Sequence, residues 1–182
     1  MKVTPLAIPD VCLIEPKAFG DERGFLLVSW QEAQFRHEVA PVTFMQDNHS
    51  RSRRHTLRGL HFQAEHTQGK LVRCSSGRIW DVAVDVRRSS PTFGKWVSAE
   101  LSDENHHQLW IPAGFAHGFL VLSDSADMQY KVTDSYHPAS ERTLRWDDPA
   151  VGISWPLSAG TGPLLSPKDA AGSLLSSLEP LP

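Results

Sequence analysis

The chain has 182 residues, 40% of them hydrophobic and 21% charged, with a formal net charge of −3. That length and balance describe one soluble globular domain, large enough to bury a core without staples. The slight negative charge excludes bulk attraction to nucleic acid or to an anionic membrane, so any cation that binds an anion must act locally.

Cys12 and Cys74 are too few and too far apart for a disulfide framework or a zinc knuckle, and they fit a reducing compartment. The first residues lack the apolar run and small-residue cleavage site of a signal peptide. No window approaches the ~18 uninterrupted apolar residues of a membrane helix, so a cytoplasmic protein is expected.

Strand signals dominate. Residues 11–14 and 24–28 are short apolar runs divided by Pro16 and the turn-like Gly20-Asp21. Residues 31–39 predict one short helix, and residues 42–46 a strand leading into the polar Asp47-Asn48-His49-Ser50. The basic run at 51–55 reads as a solvated loop, with a lip attracting anionic ligands as the alternative. Residues 58–74 then gather His61 and two cations, Arg58 and Lys70, among apolar residues of strand character.

Residues 71–74, a turn at Ser75-Ser76-Gly77 and residues 79–86 predict a hairpin. Along its second arm Trp80, Val82, Val84 and Val86 share one face, and Ile79, Asp81, Ala83 and Asp85 the other. That alternation suits a sheet with one apolar face and one polar or ligand-lined face. More strands are expected at 96–101, 108–111, 118–122 and 128–132, with Pro112-Ala113-Gly114 placing His117 at the start of a strand. Many short strands and hardly a helix predict an all-β sandwich or barrel. Beyond Trp155-Pro156 the chain is rich in Ser, Gly and Pro. Residues 170–178 read as a short final helix on a loose tail, in which Ser166-Pro167-Lys168-Asp169 stands out.

Several segments follow one another along the chain: Asp21-Glu22-Arg23-Gly24-Phe25, Gln46-Asp47-Asn48-His49-Ser50, Leu57-Arg58-Gly59-Leu60-His61-Phe62-Gln63, Gln68-Gly69-Lys70-Leu71-Val72-Arg73 and Asp81-Val82-Ala83-Val84-Asp85. Trp110-Ile111-Pro112-Ala113-Gly114-Phe115-Ala116-His117-Gly118-Phe119, Tyr130-Lys131 and Leu165-Ser166-Pro167-Lys168-Asp169 follow. Together, over nearly the whole chain, they resemble the dTDP-4-dehydrorhamnose 3,5-epimerase family of nucleotide-sugar enzymes. The resemblance implies a cupin-type jelly-roll β-barrel or sandwich with a few short peripheral helices. It implies a single domain over 1–182, with 157–182 packing back onto the barrel, a homodimer with strand exchange, and neither metal nor cofactor.

The implied reaction inverts C3 and C5 of a 4-keto-6-deoxyhexose carried on dTDP, on a route to dTDP-L-rhamnose or a related deoxysugar. Both carbons flank the C4 ketone, so each C–H is acidified by enolate formation. Such chemistry needs a base, a group to hold the enolate oxygen, and an acid on the opposite face. By resemblance the base is His61, since an imidazole titrates near neutral pH, with Asp169 fixing its tautomer. Tyr130 matches the acid and Lys70 the enolate-stabilising cation. Arg23 and Arg58 match pyrophosphate contacts, His117 lines the sugar pocket, and Glu141 and Lys168 contact the nucleotide sugar. Gln46, Asp47 and Asn48 match the stretch that reads the nucleotide, and Tyr136 offers a flat surface for thymine.

One departure is Val28, where the family usually has Glu; a valine cannot accept a hydrogen bond, which bears on substrate identity or affinity. The alternatives are an epimerase acting at one carbon of an antibiotic or O-antigen dTDP-deoxysugar, a sugar-nucleotide ketoisomerase, and a non-catalytic binding module. A metal-dependent cupin is disfavoured because His61 is followed by Phe62 and Gln63 rather than by a second ligand in H-x-H spacing.

Overall fold

A computed structural model describes residues 1–158, 160–179 and 181. Two antiparallel sheets face each other. The six-stranded sheet runs, edge to edge, β1 (Lys2–Pro5), β2 (Cys12–Glu15), β10 (Gln108–Ile111), β7 (Lys70–Ser76), β12 (Ser125–Val132) and β5 (Gln46–Arg53). The five-stranded sheet runs β13 (Glu141–Thr143), β6 (Leu57–Gln63), β11 (Phe115–Val121), β8 (Arg78–Asp85) and β9 (Trp96–Ser102). From β5 onward the chain passes repeatedly from one sheet to the other, the connectivity of a double-sheet jelly roll. A hairpin of β3 (Ala18–Asp21) and β4 (Gly24–Leu27) forms a third, separate sheet. The helices are short: α1 (Glu32–Glu38) and α2 (Pro167–Ala170).

Alternation along the strands builds the core. Val72, Cys74, Leu109 and Met128 of one sheet meet Ile79, Ala83, Leu101 and Phe119 of the other. The opposite face of the five-stranded sheet is also covered. Val82, Val84 and Leu60 pack against Val151, Ile153, Trp155, Leu175 and Leu181 of the C-terminal part. Parallel bridges from Leu164 to Thr56, Ser173 to Leu144 and Leu181 to Arg87 fasten that part to the sheet. Buried apolar side chains therefore hold down a stretch whose composition reads as a loose tail. Residues 159, 180 and 182 of the expected segment 157–182 lie outside the described residues.

Some sequence expectations are corrected. The strand expected at 42–46 begins instead at Gln46 and runs through the polar stretch to Arg53, so part of the basic run is strand rather than loop. Its polarity hid it, and the eight-residue register with β12 forms it. Arg51 and Arg54 pair with Asp127 and Asp124, which leaves those two as surface ion pairs rather than a lip for anions. The helix expected at 170–178 lies earlier, at α2, where the Ser166 hydroxyl accepts the Asp169 backbone N–H as a cap. Past Gly172 the chain runs extended beside Leu144, and only a 3-10 turn at Leu175–Ser177 remains helical. The strand 79–86 has no open polar face, because both faces are buried. Asp85 is neutralised locally: its oxygens accept from Arg87 at 2.9 and 2.7 Å and from Ser90 and Thr92 at 2.6 Å each. Burial pushes its pKa up, but these donors prevail and hold it at about 2.

Gly59 sets the distance between β6 and β11. Its φ is +115°, and a Cβ there would stand 2.6 Å from the His117 carbonyl oxygen and 2.7 Å from Gly118 Cα. Both are backbone atoms and have no rotamer to escape into. Gly59→Ala is expected to lose about 2–5 kcal/mol of stability, read from chemical denaturation, through combined backbone strain and overpacking. An unchanged denaturation midpoint would rule out that close approach.

Candidate active site

The two sheets open at one end into a cavity of about 260 Å3 lined by Arg58, His61, Lys70, His117, Tyr130, Tyr136, Glu141 and Lys168. His61 and His117 are register partners on β6 and β11 of one sheet. Lys70 on β7 and Tyr130 on β12 come from the other. The jelly roll thus brings an imidazole pair to face an ammonium and a phenol across an interior space.

Asp169 lies behind His61, delivered by α2. Its Oδ1 is 2.6 Å from His61 Nε2 and accepts the Gly59 N–H at 3.2 Å, while Oδ2 accepts the Ser166 hydroxyl at 2.6 Å. Burial alone would raise the Asp169 pKa, but the bonds from His61, Ser166 and Gly59 bring it down to about 2. The carboxylate is therefore ionised at neutral pH and accepts a hydrogen from Nε2, which leaves Nδ1 as the other nitrogen of a ring that lines the cavity.

Lys70 is 7% exposed, and Nζ donates to the His61 carbonyl at 3.3 Å. Burial lowers its pKa to about 8 against the opposing charges of Asp81 and Glu141. Burial raises Tyr130, with the Arg58 guanidinium pulling the other way. At the rim Lys168 pairs with Glu141 at 2.7 Å, and the Tyr136 hydroxyl donates to the other Glu141 oxygen at 3.0 Å. Burial raises the Glu141 pKa, but the Lys168 and Tyr136 bonds outweigh it and lower it overall. Tyr136 is 53% exposed, which leaves a ring face open beside the cavity.

The remaining expected residues fall elsewhere. Gln46, Asp47 and Asn48 lie on the edge strand β5, where Gln46 donates to Asn48 at 2.7 Å and Asp47 pairs with Lys131 at 2.8 Å. Asp47 and Asn48 line a neighbouring cavity that shares Tyr130 with the first. Arg23 sits on the exposed β3–β4 hairpin, its guanidinium on Asp21, outside the His61 cavity. Val28 follows that hairpin and is 60% exposed. Among the described residues no three His, Cys, Asp or Glu cluster as metal ligands. Among the described residues no helix is long and apolar enough to cross a membrane.

The sequence reading assigns no role to three further residues. Ser166 supports Asp169. Ser52 accepts from Arg58 Nε at 2.9 Å and orients that guanidinium. Asp81 holds His117 by Nε2 at 3.0 and 2.9 Å. The one local signal for the last was an acid placed within an apolar run.

A family model described as dTDP-4-dehydrorhamnose 3,5-epimerase matches residues 5–177. A protein of that name from Pseudomonas aeruginosa is 54% identical over 183 residues, covering 100% of both chains. Another from Neisseria gonorrhoeae is 54% identical over 179 residues; this chain spans only 54% of that longer protein. Among solved structures, a dTDP-6-deoxy-D-glucose-3,5-epimerase from Legionella pneumophila in complex with dTDP-4-keto-L-rhamnose superposes with a TM-score of 0.95. It is 50% identical, and the match covers 98% of this chain and 94% of that one.

Proposed function

The chain belongs to the dTDP-4-dehydrorhamnose 3,5-epimerase family, and we propose that it inverts C3 and C5 of dTDP-4-keto-6-deoxyglucose through enolate intermediates. The observation that carries this reading is the His61–Asp169 pair at 2.6 Å, opening on the cavity that also holds Lys70 and Tyr130. His61 Nδ1 takes the proton from the carbon next to the ketone, and Asp169 stabilises the imidazolium that forms. The electron pair moves onto O4, where the buried Lys70 ammonium meets it in low-dielectric surroundings that strengthen the attraction. Tyr130, kept protonated by burial, returns a proton on the opposite face. One base with one electrophile serves both carbons because both flank the same carbonyl.

The nucleotide end is polar and local. Arg58 offers the guanidinium fork for the diphosphate, Lys168 and Glu141 mark the rim, and the open Tyr136 ring suits a thymine. We infer a homodimer as the working form. The β3–β4 hairpin leaves Phe19, Phe25 and Leu26 at 57%, 61% and 68% exposure, a patch suited to burial against a second copy. Such an arrangement would carry Arg23 to the partner's cleft. The free thiols Cys12 and Cys74 suit a reducing, cytoplasmic setting.

Incubation with dTDP-4-keto-6-deoxyglucose in D2O tests the reading, followed by NMR and mass spectrometry. Deuterium with inverted configuration is expected at both C3 and C5. Inversion at one carbon alone would make this a single-site epimerase. Absence of exchange, beside a relative that exchanges the same sample, would refute the substrate assignment.

A further inference from the structure

Asp81 is completely buried, yet among the described residues its carboxylate has a single hydrogen-bonding partner, Nε2 of His117. Asp85, two pleats along the same strand face, shows the contrast: it gathers a guanidinium and two hydroxyls and closes a turn. Asp81 closes no turn and meets no guanidinium. A buried carboxylate held by one imidazole is a poor source of stability, because desolvation is repaid only by several donors. Its geometry points into the reaction space instead. In the β8–β11 ladder Asp81 stands opposite Phe119 and diagonal to His117, which is itself opposite His61.

We propose that Asp81 is a positioning residue for the epimerisation: it fixes His117 through Nε2, leaving Nδ1 for the sugar, and sets a buried negative charge against the Lys70 ammonium. This deepens the epimerase reading and rests on it. The first effect follows from the bond itself, since Nε2 is the only ring nitrogen of His117 with a partner among the described residues. The second follows from the surroundings of Lys70. Asp81 from β8 and Glu141 from β13 supply negative charge there. His61 and Arg58 on β6, His117 on β11 and Tyr130 on β12 complete the titratable and charged groups around the cavity, with Lys168 at its rim and Asp169 behind His61. Removing the Asp81 charge leaves burial less opposed, so Lys70 gives up its proton at lower pH.

Asp81→Asn separates these effects from packing. Asparagine keeps the volume and an oxygen that accepts from His117 Nε2–H, and deletes only the charge. The expected result is a melting temperature at or above the wild type, a kcat lower by about tenfold or more at pH 8 and a KM changed by less than about threefold. The alkaline limb of the kcat profile should move down by roughly one pH unit or more. An unmoved limb with full kcat would overturn the proposal, as would a kcat that falls only in step with the melting temperature. A second measurement needs no variant: 15N NMR of His117 in the wild-type protein should report hydrogen on Nε2, and hydrogen on Nδ1 alone would overturn the assignment. Wild-type exchange in D2O is run alongside. If the wild type fails to exchange, the epimerase reading fails, and the His117 spectrum still decides whether Asp81 sets the tautomer.

Discussion

His61→Asn is expected to stop solvent deuterium entering at both C3 and C5, lowering turnover by roughly 10³–10⁴-fold. The single imidazole backed by Asp169 serves both carbons, so the two exchanges should disappear together. The Asp169 carboxylate loses the imidazole but keeps its bonds from Ser166 and Gly59. The fold should therefore survive, with a circular dichroism spectrum and melting temperature close to the wild type. Asp169→Asn should act more gently but on both carbons alike, because it removes the charge that stabilises the imidazolium while leaving the base in place. The assay is NMR of the sugar protons in D2O under single turnover. Residual exchange at one carbon in the His61 variant would mean a second base serves that carbon, and the one-base account would be abandoned.

Lys70→Met should separate catalysis from stability. Methionine fills nearly the same volume and carries no charge. Losing a preorganised cation at the developing enolate is expected to cost roughly 10²–10³-fold in kcat, a few kcal/mol of transition-state stabilisation. The melting temperature should hold or rise, because a buried ammonium with few partners is replaced by an apolar side chain. The same residue sets a pH dependence. Burial brings its pKa to about 8, and the ammonium is present below that value. Wild-type kcat should therefore fall as pH rises through about 8, while the methionine variant shows no such limb. A flat wild-type profile across pH 7–9 would remove Lys70 from the enolate-stabilising role. So would a methionine variant with full activity.

The pleat of the central strands is legible in the sequence. Ile79 to Val86 alternates in a way that assigns Val82 and Val84 to one face and Ala83 to the other, as observed. The helix expected near 31–39 appears as Glu32–Glu38. His61, Lys70 and Tyr130 stood out through the order of the segments around them rather than through periodicity, which by itself makes each an ordinary strand residue. The polar strand β5 left no trace of that kind. With Gln46, Asn48, Ser50 and Ser52 on one side and Asp47, His49, Arg51 and Arg53 on the other, it carries no apolar alternation to read. Only its ladder with β12 makes it a strand.

What this sequence determined alone is therefore local: side-chain alternation and an ordered set of segments sufficient to name a family, whereas the turn at 75–77 joins β7 and β8 across the two sheets rather than closing the expected hairpin. Three decisions belonged to the tertiary structure. Asp169 meets His61 across 108 positions of chain. Asp81 meets His117 rather than solvent or a cation. Arg23 leaves the cleft for an exposed hairpin. The physical reason is common to all three. Backbone geometry makes the face of a strand readable within a few residues, whereas which strands become neighbours depends on burying apolar surface over the whole chain. That global burial places the acids, the imidazoles and the buried ammonium within reach of one another.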